Sequence, residues 1–304
     1  MTVRLTIRTP SWRAQVAATA AAIDGLVPVI KGNGYGFGRL SLAEIAREFS
    51  DTVAVGNVHE LGGLSDELTA VVLTPTLTPP RGDPIVTIGR DEHLRALGPW
   101  RGRVIVKLPT SMRRYGGSTD LVADARTSGH DVVGVAIHPP LAGAQGDNVE
   151  QVTAQLGDID PGLTVWLSHL TPEEYTSLPD SHSYRLRLGT ALWHGDKSTL
   201  ELAADVIDVR SVERGTPAGY RLNAVPDDGH LVMIGAGTAN GVLPLPDGRS
   251  PFHWTQTRME LHEPPHMHTS MAFVPTGDPL PAIGDWVDVQ RPLHMTLVDE
   301  HLWL

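Results

Sequence analysis

Cysteine is absent from the 304-residue sequence. That absence excludes disulfides, thiolate metal sites and a thiol nucleophile together. It is compatible with a reducing cytoplasm, the compartment we expect. No apolar run is long enough to cross a bilayer, so no membrane partner is expected. The alanine-rich stretch from Ala14 to Ile23, preceded by Arg4, Arg8 and Arg13, has the outline of a signal peptide, but Gln15 and Thr19 interrupt it and Asp24 flanks it. It reads as a helix. Positive charge is also scarce: Lys plus Arg total 24 against 35 Asp plus Glu, a formal net charge of −11. A field of that sign repels a phosphate backbone or an anionic leaflet, which makes nucleic acid a poor partner. Charged residues are only 19% of the chain, too few for disorder, while the 41% that are hydrophobic suffice for a sizeable core.

What is present is a rhythm. Short apolar, β-branched runs recur at Leu26–Ile30, Thr52–Val55, Ala70–Leu73, Ile85–Ile88, Val104–Lys107, Val132–Ile137, Leu163–Ser168 and Tyr184–Leu188. Helix candidates such as Leu42–Phe49, Asp91–Leu97 and Ser118–Ser128 fall between them. Strand, helix, strand favours parallel pairing and an α/β fold, a closed (β/α)8 TIM-type barrel. After about Leu202 the pattern changes. Val206–Val212, Leu231–Ile234, Trp286–Val289 and His294–Val298 are strand-like, and Gly, Pro and Asp separate them without long helical patterns. Residues 9–200 are thus expected to form the barrel and 201–304 a mostly β C-terminal domain, which an opening strand over residues 1–8 joins.

The first chemical signal is Val29-Ile30-Lys31-Gly32-Asn33-Gly34-Tyr35-Gly36-Phe37-Gly38. A lysine ends the first barrel strand and a glycine-rich turn follows, and barrel active sites lie at the C-terminal strand ends. A half-buried lysine there can have its pKa lowered and form a Schiff base, while the glycines let backbone approach a phosphate. The alternative is a surface lysine on a tight turn. This segment resembles the V-V-K-A-N-A-Y-G-H-G motif of the alanine racemase family, enzymes with a pyridoxal-phosphate barrel and a C-terminal β domain. The resemblance implies that Lys31 holds pyridoxal 5'-phosphate covalently and that Tyr35 contacts its phosphate.

Three further stretches carry the same resemblance in the family's order. Lys107-Leu108-Pro109-Thr110-Ser111-Met112-Arg113-Arg114-Tyr115-Gly116 is similar to K-V-D-T-G-M-N-R-L-G, with Pro109 in place of the aspartate. It implies Arg114 near the cofactor and the substrate carboxylate, and Lys107 at a position that is carbamylated in some members. Tyr184-Arg185-Leu186-Arg187-Leu188-Gly189-Thr190-Ala191-Leu192-Trp193 resembles V-R-P-G-I-A-L-Y-G and implies Arg187 at the pyridine nitrogen, with Gly189 and Thr190 at the phosphate. His138 matches a histidine that supports this arginine, and Ser168 a further phosphate ligand; each alone reads equally as a hydrogen-bonded core residue. Gly215-Thr216-Pro217-Ala218-Gly219-Tyr220 resembles G-x-x-V-x-Y-G, whose tyrosine comes from the partner subunit of a homodimer and faces the lysine across the substrate. Racemisation needs such a pair, because one group removes the α-proton and another returns one on the opposite face.

Two departures bear on the substrate. The family's G-Y-A-D-G stands here as Gly237-Thr238-Ala239-Asn240-Gly241, which widens the expected pocket mouth. Its C-M-D-Q stands as His266-Met267-His268-Thr269, which keeps the methionine whose backbone meets the substrate carboxylate and exchanges aspartate for His268. His262-Glu263-Pro264-Pro265-His266 matches the zinc pattern H-E-x-x-H, but two prolines within the turn break the helix that pattern needs, so we expect a loop over the active site and no metal. The sequence thus implies an amino-acid racemase or epimerase using Lys31 and Tyr220, with a substrate other than, or besides, alanine. The alternatives are a non-catalytic pyridoxal-phosphate homeostasis protein, or a decarboxylase of the same barrel class, which would normally carry a cysteine and a Glu-Pro-Gly-Arg motif.

Overall fold

A computed structural model describes residues 2–143 and 146–304. The chain opens with strand β1 (Val3–Ile7) and helix α1 (Thr9–Ala21) and then enters a run of parallel strands. These are β2 (Leu26–Pro28), β3 (Thr52–Val55), β4 (Thr69–Val72), β5 (Ile85–Ile88), β6 (Arg103–Lys107), β7 (Asp131–Ala136), β8 (Thr164–Ser168) and β9 (Tyr184–Leu188). They pair in the order β2-β9-β8-β7-β6-β5-β4-β3, and a parallel bridge between Val29 and Ala54 joins the two ends of the sheet. The expected barrel is the fold of this unit. β3 and β5 are buried along their whole length, as parallel strands covered on both faces must be. Helices α2 (Arg39–Ala46), α3 (Asp91–Ala96), α4 (Asp120–Thr127), α5 (Asp147–Leu156), α6 (Pro172–Thr176) and α7 (Thr190–Trp193) connect them. Several are short, so loops supply much of the connection.

The second part is antiparallel. β10 (Leu200–Val212) is its spine: it pairs with β1 and with β18 (Trp286–Val289) along its first half and with β13 (Gly229–Ile234) along its second. A register shift between Val206 and Asp208 lets one strand serve both neighbours. β11 (Pro217–Ala218) and β12 (Asn223–Ala224) form a small hairpin. β14 (Phe252–Trp254), β15 (Thr257–Arg258), β16 (Glu260–Leu261), β17 (Ser270–Pro275) and β19 (Glu300–Trp303) complete the unit, with β19 parallel to β1. Its core gathers Val3, Ala204, Val232, Ile234, Phe252, Ala272 and Val287.

The expectation of a strand at His294–Val298 fails here: Leu293–Met295 is a 3-10 turn that follows Pro292, and the buried Thr296 folds its hydroxyl back to the Pro292 carbonyl at 3.0 Å. The strand lies further on, at β19. The chain divides into two compact units, one of Ala14–Gly34 with Gly38–Gly195 and one of Met1–Arg13, Tyr35–Phe37 and Asp196–Leu304. Thr9–Arg13 and Tyr35–Phe37, which the sequence reading gives to the barrel, group with the β unit. The rings of Trp12, Phe37 and Trp303 explain this, with centroids 5.0 Å apart for Trp12 and Phe37 and 5.5 Å for Trp12 and Trp303.

Candidate active site

Parallel strands end together, so residues that close β2, β6, β7, β8 and β9 share the C-terminal mouth of the barrel. Lys31 begins the turn after β2, where the Gly34 N–H donates to the Lys31 carbonyl at 3.2 Å. Gly34 sits at φ +63°, and the Arg39 backbone fills the space a side chain would take. Only glycine meets both conditions. Glu60, on the turn after β3, accepts the Gly32 N–H at 3.1 Å and the Gly56 N–H at 2.8 Å, which ties the residue after Lys31 to the neighbouring strand end.

Arg187, in β9, is buried. Its Nε donates to the Leu167 carbonyl at 3.0 Å and its Nη2 to the carbonyls of Ile137 and Trp166 at 3.2 and 3.1 Å, so main-chain oxygens of two adjacent strands fix the guanidinium. The His138 ring lies 4.4 Å from that of His169, and its carbonyl accepts the Thr110 hydroxyl at 3.0 Å. His169, at φ +61°, donates Nδ1–H to the Pro139 carbonyl at 2.8 Å. Arg114 is exposed on the loop after β6, where it bonds the Tyr115 hydroxyl at 3.1 Å, while the Lys107 ammonium lies 5.5 Å from the centre of the same ring. Ser168 is buried at the end of β8, and Gly189 and Thr190 open the first turn of α7.

Electrostatics joins these residues into one cluster. Burial, then the charges of Arg187 and Arg114, push the Lys107 ammonium down to about 7. Lys31 is lowered too, by burial first and then by Arg114, with Glu60 opposing. Arg187 falls to about 10 through burial, which leaves it a cation at neutral pH. His138 is pressed to about 2 by burial and by Arg187 and Lys107, and His169 is lowered by burial, so both rings are neutral. Two lysines and two arginines crowd together, and among the described residues Glu60 is the carboxylate that opposes them at Lys31. Anions would relieve that repulsion. The donor set therefore fits a phosphate-bearing carbonyl cofactor together with a carboxylate.

The remaining expected residues belong to the β unit. Tyr35 is buried at φ +55°, and burial pushes its phenol up to about 12, so it stays a hydrogen-bond donor. Tyr220 lies at the tip of the β11–β12 hairpin and is 85% exposed. Met267 and Thr238 lie beside each other: the His266 and Met267 carbonyls accept the N–H groups of Thr238 and Ala239, each at 2.8 Å. The structure thus gathers Lys31, Lys107, Arg114, Ser168, Arg187 and His138 on the barrel and Tyr220, Thr238, Met267 and His268 on one loop cluster of the β unit. Segment 262–266 is non-helical, as the prolines require. Sequence reasoning passed over His169, Tyr115 and Glu60, although the first two directly follow residues it chose.

A search of curated proteins by sequence finds no significant match. The family model described as alanine racemase, N-terminal domain, matches residues 10–194. Among solved structures the chain is similar to alanine racemase from Bartonella henselae, described with covalently bound pyridoxal phosphate, at 15% identity and TM-score 0.72 over 100% of both chains. It is similar to alanine racemase from E. faecalis at 17% identity and TM-score 0.72, over 100% of this chain and 98% of that one. The alanine racemase of D-cycloserine-producing Streptomyces lavendulae gives 19% identity and TM-score 0.70, over 100% and 97%. With its barrel sequence matched over more than half its length, the chain belongs to the alanine racemase family.

Proposed function

We propose that this protein is a pyridoxal-phosphate-dependent amino-acid racemase or epimerase. The convergence of Lys31, Lys107, Arg114 and Arg187 at one barrel mouth, with Glu60 as the facing carboxylate, carries this reading. Lys31 would hold the cofactor covalently, Tyr35, Ser168 and the Gly189–Thr190 backbone its phosphate, and Arg187 its ring nitrogen. When bound, the cofactor acidifies the α-proton of an amino acid joined to it.

The chain's own groups then do the proton work. The lowered pKa of Lys31 makes its neutral amine more accessible near neutral pH, so Nζ can take a proton. Tyr220, exposed in the single chain, supplies a phenol for the opposite face, and a homodimer sharing its sites is the assembly this implies. Arg187 keeps its proton because its pKa of about 10 is still above physiological pH, so it donates hydrogen bonds without transferring a proton. Arg114 meets the substrate carboxylate. So does Met267, whose carbonyl is taken by Ala239 and whose amide makes no hydrogen bond among the described residues. Thr238, small and exposed, leaves the approach open to side chains larger than that of alanine.

The test is to load purified protein with pyridoxal phosphate, offer a panel of L- and D-amino acids in deuterium oxide, and follow α-proton loss by NMR. Exchange with chiral inversion is expected for at least one amino acid, and Lys31→Ala protein is expected to lose both exchange and the visible absorbance of bound cofactor. Bound cofactor with no exchange across the panel would replace this reading with a cofactor-binding protein that does no chemistry.

A further inference from the structure

The His262–His266 segment, which looks like a zinc motif and forms no helix, is spent on the hairpin that carries Tyr220. His262 Nε2 bonds the Ala218 carbonyl at 3.2 Å, at the base of the hairpin tip. Glu263 is 5% exposed, and its carboxylate accepts the N–H of Tyr220 at 3.0 Å and of Arg221 at 3.4 Å. The same carboxylate receives His266 Nε2–H at 2.6 Å. An ionised carboxylate only accepts, so this bond puts a proton on Nε2, while Nδ1 lies 3.4 Å from the Thr269 hydroxyl. The imidazole then stands edge-on to the Tyr220 ring, with centroids 4.5 Å apart at 64°. Gly219, at φ +77°, completes the fit, since a side chain there would run into the Glu263 carboxylate.

A buried carboxylate is costly unless its charge is used. Burial by itself pushes Glu263 upward, yet the Tyr220 amide, His266 and the Arg221 amide outweigh it and hold its carboxyl below the usual range. The bonds go to the backbone of Tyr220 and the ring contact goes to its side chain. Pro264 and Pro265 stiffen the chain between the two partners. An exposed tyrosine on a hairpin tip would ordinarily sample several rotamers; this one is held at its amide and on one face of its ring, with the phenol left to solvent.

From this geometry we infer that Glu263 and His266 are positioning residues for Tyr220, Glu263 acting on its backbone and His266 on its ring. Their effect on turnover rests on the racemase reading above, whereas the ordering of Tyr220 does not.

The experiment uses full-length protein loaded with pyridoxal phosphate and labelled with 3-fluorotyrosine, the Tyr220 resonance being assigned by Tyr220→Phe. Amide exchange is read at Tyr220 and Arg221. Glu263→Ala is expected to lose at least about tenfold of protection at both amides, and Glu263→Gln, which keeps one accepting oxygen, to lose less. His266→Ala is expected to shift the Tyr220 fluorine signal toward that of free tyrosine and leave the other tyrosines in place. For the amino acid of the panel that exchanges fastest, kcat should fall about ten- to a hundredfold in Glu263→Ala and His266→Ala with KM little changed, and recover in part in Glu263→Gln. Unchanged amides in both Glu263 variants together with an unmoved fluorine signal in His266→Ala overturn the inference. So does a loosened Tyr220 with wild-type kcat. If the wild-type protein exchanges no amino acid, the racemase reading falls alone, and the amide and fluorine signals still decide whether Glu263 and His266 order Tyr220.

Discussion

Lysine occurs three times in this chain, and Lys31 and Lys107 both stand at the barrel mouth. Scarcity makes the chemistry easy to localise, because reductive trapping of a bound carbonyl cofactor has few places to fall. Lys107 also has an energetic signature. With its folded pKa near 7 and an unfolded value of 10.5, the unfolded chain binds the extra proton between those limits. Stability of the cofactor-free protein therefore rises as pH climbs from about 7 towards 10 and is lost as pH falls through the folded pKa. Lys107→Met should flatten that rise and increase stability at pH ~7 by a few kcal/mol, read by urea denaturation in buffer free of carbon dioxide. A wild-type curve without slope across this window would show that the ammonium is not disfavoured. The neutral amine is also the form that carbon dioxide can carbamylate, as the resemblance suggests for Lys107.

Among the elements, α1, the glycine-rich turn and β19 meet through Trp12, Phe37 and Trp303. Trp12 and Phe37 are fully buried, so Trp12→Ala should cost about 3–5 kcal/mol in urea denaturation, and a loss under about 1 kcal/mol would mean the rings are not a core. Trp303, 38% exposed, should cost less on the same change. The barrel elements were legible because each strand is an apolar, β-branched run bounded by turn residues, and Leu26, Thr52 and Val104 all begin or enter strands where the pattern places them. β17 is not among the expected strands, although Met271, Ala272, Phe273 and Val274 are apolar. The partners of Glu60 and Glu263 were invisible. Each carboxylate satisfies backbone N–H groups far along the chain, Glu263 reaching back to Tyr220, and no periodicity records such a bond.

At the scale of the whole molecule, the β unit draws on residues from both sides of the barrel sequence. β1 lies between β10 and β19, with Leu5 opposite Leu202 on one side and His301 on the other. A fragment of residues 196–304 would expose two strand edges and lose Val3 from its core, so it should be unfolded or aggregated by circular dichroism and light scattering. Adding a peptide of residues 1–13 should restore part of its β signal; a soluble, cooperatively melting fragment without the peptide would contradict this. The same arrangement has a kinetic side. To reach β10, β1 must close a loop that contains the entire barrel, and loop-closure entropy grows with the length of free chain between two partners. A barrel that has already folded shortens that free chain. Formation of the β sheet is then expected to follow barrel folding, and a core substitution that slows the barrel should delay pairing of a strand it never touches.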